Sequence, residues 1–296
     1  MMNSHADVST VTLSAALAGV RVISIAINLP GPACAQRLSE WGASVIKVEP
    51  SAERGGDPMR QYASGYYEEL HRGIDIRVLD LKSASGRTAL ADLLATADIL
   101  LTSQRDAALQ RLGLDWSELS ARYPKLGLIA IIGSERGNDA GHDLTYIAAA
   151  GLATPPHLPA TLLADLAGAE RAVTATFAAL RMAQRNGRGQ RIVVSLEDAA
   201  KAFAGPHRYG LTNHGGLLAG THPGYNFYRA RDGWIALAAL EPHFAARVQA
   251  ASGVSFNQDA LAAYFLPHDI LHWAQWAAEN DIPLATLPST SPSSGK

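Results

Sequence analysis

The first two hundred residues alternate between short runs of β-branched and other apolar residues and longer segments whose apolar residues recur at helical spacing. The short runs predict strands at residues 20–27, 44–48, 77–81, 98–102, 126–132 and 191–195. The longer segments predict a helix ending at 41–42, helices over 83–96 and 166–185, and two short helices before the strand at 126–132. This alternation predicts parallel β-α-β units in a doubly wound sheet. Residues 50–72 are rich in Gly, Ser and charge and are predicted to form a loop.

The pattern changes after about residue 205, where Gly and His become frequent. Residues 225–240 predict a hairpin that turns at 231–233, and helices are expected from there to about residue 281. We therefore predict an α/β chain with a large Rossmann-like domain and a smaller α+β domain. The expected divisions are a large domain at 1–205, a small domain at 206–287 and a disordered Ser/Pro-rich tail at 288–296.

Composition narrows the functional classes. The 296 residues are 48% hydrophobic and 18% charged with a formal net charge of −2, so no bulk attraction to nucleic acid or an anionic membrane is expected. The single cysteine, Cys34, excludes an intramolecular disulfide and suits a reducing compartment. No basic, apolar leader and no apolar stretch near 20 residues is present, and we expect a cytoplasmic protein with no membrane or nucleic-acid partner.

Ligands of doubly wound sheets bind beyond the carboxyl ends of the strands. The first of those ends is Ile27-Asn28, and the residues that follow it do not form the G-x-G-x-x-G fingerprint, which disfavours a nicotinamide enzyme. The ten histidines show no ligand spacing with cysteines or carboxylates, so no metal and no redox cofactor is expected.

A histidine and two carboxylates fall near predicted helix starts. His142 is followed by Asp143, which could accept its ring N–H or cap the helix. Asp165 lies among apolar residues, and Glu241 follows an apolar strand and precedes a proline. Each residue alone is more commonly a cap. Together they are an imidazole and two carboxylates, the groups that proton-transfer chemistry uses.

Nine segments, in order along the chain, resemble the family III CoA-transferases, which include the α-methylacyl-CoA racemases. They are LAGVRVI at 17–23, GP at 31–32, WGASVIKVE at 41–49, LDLKS at 79–83, ADILL at 97–101, RLGL at 111–114, GHD at 141–143, GRGQ at 187–190 and RDG at 231–233. The resemblance covers residues 17–248 well and 249–287 loosely. It implies a CoA-binding Rossmann-like domain, an interlocked homodimer, and no cofactor beyond the coenzyme A of the acyl-CoA substrate.

The resemblance also implies roles for individual residues. Asp165 falls where the family has its catalytic aspartate, His142 aligns with the racemase histidine, and Glu241 with the glutamate that partners it. Pro50 replaces a family arginine at the adenine end of CoA, and Arg54 is the nearest substitute. The residues expected to contact CoA are Ile27, Asn28, Arg54, His71, Arg72, Gln104, Arg105, Arg111, Asp143 and Tyr146.

Three functions are open at this point. The first is an α-methylacyl-CoA racemase or epimerase, in which Asp165 and His142 exchange the α-proton and Glu241 tunes the histidine. The second is a CoA-transferase in which Asp165 attacks the thioester, displaces the CoA thiolate as an acyl-aspartyl anhydride forms, and then takes up CoA as an aspartyl-CoA intermediate. The third is a CoA-binding protein without catalysis, motivated by a loop at 133–139 shorter than the family's and by the absence of the family's final segment.

Overall fold

A computed structural model describes residues 13–135 and 140–289, without the side chains of Leu13 and Arg54. The chain divides into two compact units, Met1–Phe203 and Ala204–Lys296. Most of the predicted disordered tail, residues 290–296, lies outside the described residues, as does 136–139 of the predicted short loop.

The first unit is built on a six-stranded sheet whose strands are all parallel, in the order β3-β2-β1-β4-β5-β6. The strands are β1 (Arg21–Ser24), β2 (Ser44–Glu49), β3 (Asp75–Val78), β4 (Ile99–Thr102), β5 (Gly127–Ile132) and β6 (Arg191–Ser195). This order is that of the Rossmann fold, and the predicted doubly wound sheet is confirmed. The order reverses between β1 and β4, which is where such sheets bind ligands.

The helices of this unit connect the strands and cover the sheet. They are α1 (Pro30–Glu40), α2 (Met59–Tyr62), α3 (Ser64–Leu70), α4 (Ala84–Leu94), α5 (Asp106–Leu112), α6 (Trp116–Arg122), α7 (Asp143–Ala149), α8 (Leu163–Asn186) and α9 (Leu196–Phe203).

The central strands are apolar throughout because both faces of the sheet are covered. In β1, Val22 belongs to one hydrophobic core and Ile23 to another. In β4, Ile99 and Leu101 belong to the first core and Leu100 to the second. Successive strand side chains point to opposite faces, so a run without alternation fills two cores at once.

The predicted loop at 50–72 is wrong. It contains a 3₁₀ turn at Ala52–Arg54 and the helices α2 and α3, whose Tyr67 and Leu70 are buried. These helices are too short to show an apolar period, and tertiary contacts stabilise them. Helix α8 begins at Leu163, three residues before its predicted start.

The second unit contains a three-stranded antiparallel sheet in the order β7-β8-β9. Its strands are β7 (Tyr225–Arg229), β8 (Gly233–Ala238) and β9 (Leu284–Pro288), and its helices are α10 (Gly205–Arg208), α11 (Pro242–Ser252), α12 (Gln258–Phe265) and α13 (Ile270–Glu279). Strand β9 was not predicted, and it corrects the assignment of Pro288 to a disordered tail. A proline at the end of an edge strand is compatible with pairing. Within the described residues, no helix is both long and apolar enough to cross a membrane.

Candidate active site

A cavity of about 640 Å³ lies within the first unit, beyond the carboxyl ends of β1, β4 and β5. Its wall includes the segment after β1, the segment between β4 and α5, and the starts of α7 and α8. The cavity thus occupies the switch point of the sheet, and its volume suits a small-molecule ligand.

The start of α7 brings His142 and Asp143 to this cavity. His142 is the N-cap, and its backbone N–H donates to Thr145 Oγ1 at 3.1 Å. The ring of Tyr146 packs so closely on two glycines that an added Cβ would lie 2.1 Å from its Oη at Gly133 and 2.4 Å at Gly141. The absence of a Cβ at these two positions lets their backbone lie against the tyrosine ring.

Asp165 lies in the first turn of α8 and lines the same cavity. Its backbone N–H donates to Asp143 Oδ1 at 3.0 Å, so the Asp143 carboxylate joins the starts of α7 and α8. Burial raises the pKa of Asp165 to about 6; the negative charge of Asp143 adds to the effect, and His142 opposes it. Local pattern alone suggested that Asp165 caps a helix. The N-cap is Leu162, and Asp165 is a carboxyl group tuned for protonation near neutral pH.

The segment after β1 forms the wall near Asn28. The Ile27 N–H donates to Ser103 Oγ at 3.0 Å, which ties this segment to the end of β4. Asn28 has φ +66°, in the left-handed region that few residues with a side chain adopt. Gly31 allows the close approach of α1, because an added Cβ there would lie 2.2 Å from Ala26 Cβ.

Several of the expected CoA contacts line this cavity. They are Ile27, Asn28, Gln104, Arg105, Asp143 and Tyr146. Arg72 and Arg111 are exposed and lie elsewhere, with Arg72 paired to Glu69. His71 is buried and hydrogen-bonded to Lys47 rather than placed on the cavity wall.

Arg54 and Glu241 are the two remaining predicted residues. The side chain of Arg54 lies outside the described part of the structure. Glu241 is the N-cap of α11 in the second unit, where it precedes Pro242 as predicted. Its pairing with His142 stays a prediction, as do the CoA contacts of His71, Arg72 and Arg111.

Sequence reasoning missed other residues of the wall. Ser103 directly follows β4, and Ser134 lies two residues after the end of β5. Their position at strand ends was the available signal, although neither was among the predicted site residues. Leu144 and Leu162, each 46% exposed, stand beside Asp143 and near Asp165 and give the wall an apolar portion. An exposed leucine next to a candidate acid is a signal for an apolar ligand group. Among the described residues, no group of three or more His, Cys, Asp or Glu side chains suits a metal ion.

The chain is similar in sequence to known proteins. A succinyl-CoA–D-citramalate CoA-transferase of Chloroflexus aurantiacus is 30% identical over 260 residues, covering 79% of this chain and 64% of the relative. The α-methylacyl-CoA racemase of Mus musculus is 31% identical over 248 residues, covering 77% of this chain and 62% of the relative. The chain thus spans less than two thirds of the length of these two relatives.

Solved structures agree on the fold. A CAIB/BAIF family protein from Brucella suis superposes with a TM-score of 0.76 at 23% identity, covering 91% of this chain and 83% of that one. The sequence profile of CoA-transferase family III matches residues 17–290. The resemblance inferred from nine short segments is confirmed, and the chain belongs to CoA-transferase family III.

Proposed function

We propose that this chain exchanges the α-proton of an α-methylacyl-CoA thioester and so inverts the configuration at that carbon. The observation that carries the proposal is the pairing of two proton-transfer groups in one cavity. Asp165 has a pKa raised to about 6, and His142 lines the same wall. A carboxyl and an imidazole so placed can exchange the roles of acid and base near neutral pH.

Inversion requires two groups because the proton must leave one face of the carbon and return to the other. Asp165 would remove the proton in one direction while His142 supplies one from the opposite face, and the roles reverse in the other direction. The thioester oxygen gains negative charge as the proton leaves, and backbone N–H groups at a helix start stabilise such an oxyanion. The first turn of α8 borders the cavity through Leu162 and Asp165.

The wall divides into parts suited to the two ends of the substrate. Leu144 and Leu162 offer an apolar surface for an acyl chain. Gln104, Arg105 and Asn28 offer polar groups for the coenzyme A portion. In this proposal Glu241 of the second unit partners His142, and the protein assembles as the interlocked homodimer that the family implies.

A second candidate is CoA transfer between an acyl-CoA and a carboxylic acid. The sequence similarity to the citramalate CoA-transferase favours it. In this chemistry Asp165 alone supplies the nucleophile. His142 is the residue that separates the two chemistries, since the transferase needs the aspartate and room for a second acid. The presence of His142 on the same cavity wall as Asp165 favours the racemase.

The test is NMR observation of α-proton exchange in deuterium oxide with a single enantiomer of 2-methylbutanoyl-CoA. We expect exchange by the wild type and its loss in Asp165→Asn and His142→Ala. The matched controls Asp92→Asn and His157→Ala change exposed residues outside the cavity and should retain exchange. Normal exchange in both cavity variants would overturn the proposal. A covalent Asp165 adduct trapped with hydroxylamine, together with CoA transfer to an added acid, would establish the second candidate instead.

A further inference from the structure

A group of charged and polar side chains is buried where β2 meets α2 and α3. We call it the Lys47 cluster, and its members are Lys47, Glu49, Asp57, Tyr67 and His71. Lys47 and Asp57 are 0% exposed. The Lys47 ammonium pairs with Asp57 Oδ2 and lies 3.4 Å from Glu49 Oε2. Such a buried pair is often less stabilising than apolar packing would be, so its value here lies in the geometry it fixes.

The hydrogen bonds of the cluster hold each member in one orientation. The Nδ1–H of His71 donates to the Tyr67 carbonyl at 2.6 Å, which leaves Nε2 to accept from Lys47 at 2.8 Å. Burial and the neighbouring Lys47 charge lower the pKa of His71, consistent with this neutral form. The Tyr67 hydroxyl donates to Glu49 Oε2 at 3.0 Å. Lys47 is thereby held against the Oδ2 atom of Asp57.

The other oxygen of Asp57 contacts the backbone of the cavity wall. Asp57 Oδ1 accepts the N–H of Asn28 and the N–H of Met59, each at 3.0 Å. Both residues line the cavity, one after β1 and the other at the start of α2. Asn28 is the residue held at φ +66°. One buried carboxylate therefore fixes two segments of the wall that are distant in sequence.

We infer that Asp57 is a positioning residue that gives the Asn28 and Met59 segments the shape needed to bind coenzyme A. The identity of the ligand rests on the proposed function. Asp57 acts through backbone N–H groups and does not line the cavity itself. It therefore controls affinity for the CoA portion, and the rate of proton exchange in the bound complex depends on other residues.

The first test compares Asp57→Ala with the double variant Lys47→Met, Asp57→Asn. Loss of two backbone hydrogen bonds should raise the calorimetric Kd for coenzyme A, and the KM for 2-methylbutanoyl-CoA, by about tenfold or more in Asp57→Ala. The kcat for exchange should change much less. The double variant keeps an amide oxygen for the two N–H groups and removes the charges of the Lys47–Asp57 pair, while Glu49 keeps its ion pair with Arg60. It should therefore recover most of the affinity. Asp92→Ala, an exposed change on α4, is the control.

A second pair of variants tests the same geometry without disturbing the buried charges. Asn28→Gly and Asn28→Val both remove the side-chain amide, but only glycine adopts φ +66° without strain. We expect Asn28→Val to bind coenzyme A about tenfold more weakly than Asn28→Gly. If Asp57→Ala does not fold, this pair still tests whether the backbone conformation at Asn28 controls the affinity for coenzyme A.

The outcomes separate this inference from the racemase proposal. An unchanged Kd in folded Asp57→Ala, or equal Kd values for the two Asn28 variants, would overturn the positioning role even if the wild type exchanges the α-proton. A wild type that binds coenzyme A without exchange would instead overturn the racemase, while a weakened Asp57→Ala would still support the positioning role.

Discussion

Replacing Asp143 by asparagine tests whether its charge helps to set the acidity of Asp165. Asp143 Oδ1 accepts the Asp165 N–H at 3.0 Å, and the amide oxygen of an asparagine can accept the same hydrogen bond. The substitution therefore removes one negative charge and keeps the contact that joins α7 to α8.

The size of the pKa change expected in Asp143→Asn follows from the causes that raise the pKa of Asp165. Burial is the largest cause of the Asp165 pKa of about 6, and the charge of Asp143 is the second. Because burial is retained, the pKa should fall only part of the way toward 3.8, the ordinary value of an aspartate carboxyl. We expect a fall of about one unit, equivalent to about 1.4 kcal/mol between the two protonation states.

The assay is the pH dependence of kcat/KM for α-proton exchange, which reports the pKa values of the free enzyme. Activity in the direction that uses Asp165 as base should decline as the pH falls through about 6 in the wild type. Removing a neighbouring negative charge favours the ionised form, so Asp143→Asn should move this acid limb to lower pH. Asp92→Asn should leave it in place. An acid limb that stays at the wild-type position, or moves to higher pH, would refute the reasoning.

Three other predictions follow from the same contacts. Asp165→Asn should raise the melting temperature at pH 8 but not near pH 4, because a carboxyl with a raised pKa destabilises the fold only when ionised. The free energy of unfolding at pH 8 should rise by about 1–2 kcal/mol after allowing for partial solvent contact, and a larger rise at acid pH would contradict this. Gly141→Ala should lower the free energy of unfolding in urea by about 1–3 kcal/mol and reduce α-proton exchange, since the new Cβ would lie 2.4 Å from Tyr146 Oη. Gly65→Ala, where a Cβ would have nothing within 4 Å, should leave stability unchanged or raise it, and equal losses of stability in the two variants would contradict this account. Cys34 is fully buried, and burial raises the pKa of its thiol, so it should react with a thiol reagent such as DTNB only after unfolding; rapid reaction of the native protein would show that the core around it opens.

The architecture of the first unit was predictable because its central strands are apolar on both faces. The run at 191–195 was predicted with the bounds that β6 has in the structure. Periodicity failed where short elements depend on tertiary partners. Helix α3 is stabilised by burial of Tyr67 and Leu70, and β9 by pairing with β8. Neither produces a repeating apolar pattern in its own few residues.

Several residues of the cavity wall were predictable from the sequence, but their arrangement was not. The family resemblance singled out His142 and Asp165, both of which line the cavity, whereas local patterns alone would have assigned them as helix caps. The hydrogen bond between Asp143 and Asp165 joins residues separated by 22 positions, and no local pattern encodes it. The burial of Lys47 was harder to predict, because a lysine within a strand is ordinarily expected to be exposed. Its complete burial depends on contacts with Asp57 and His71.

The most direct test of the central claim follows one enantiomer of 2-methylbutanoyl-CoA with the wild-type protein in deuterium oxide. If Asp165 and His142 exchange the α-proton between the two faces of the α-carbon, optical activity should decay while deuterium enters at that carbon. Each inverted molecule should carry one deuterium from the solvent. Retention of configuration and of protium at that carbon, with CoA passing to an added carboxylic acid, would contradict the racemase and establish transfer through Asp165.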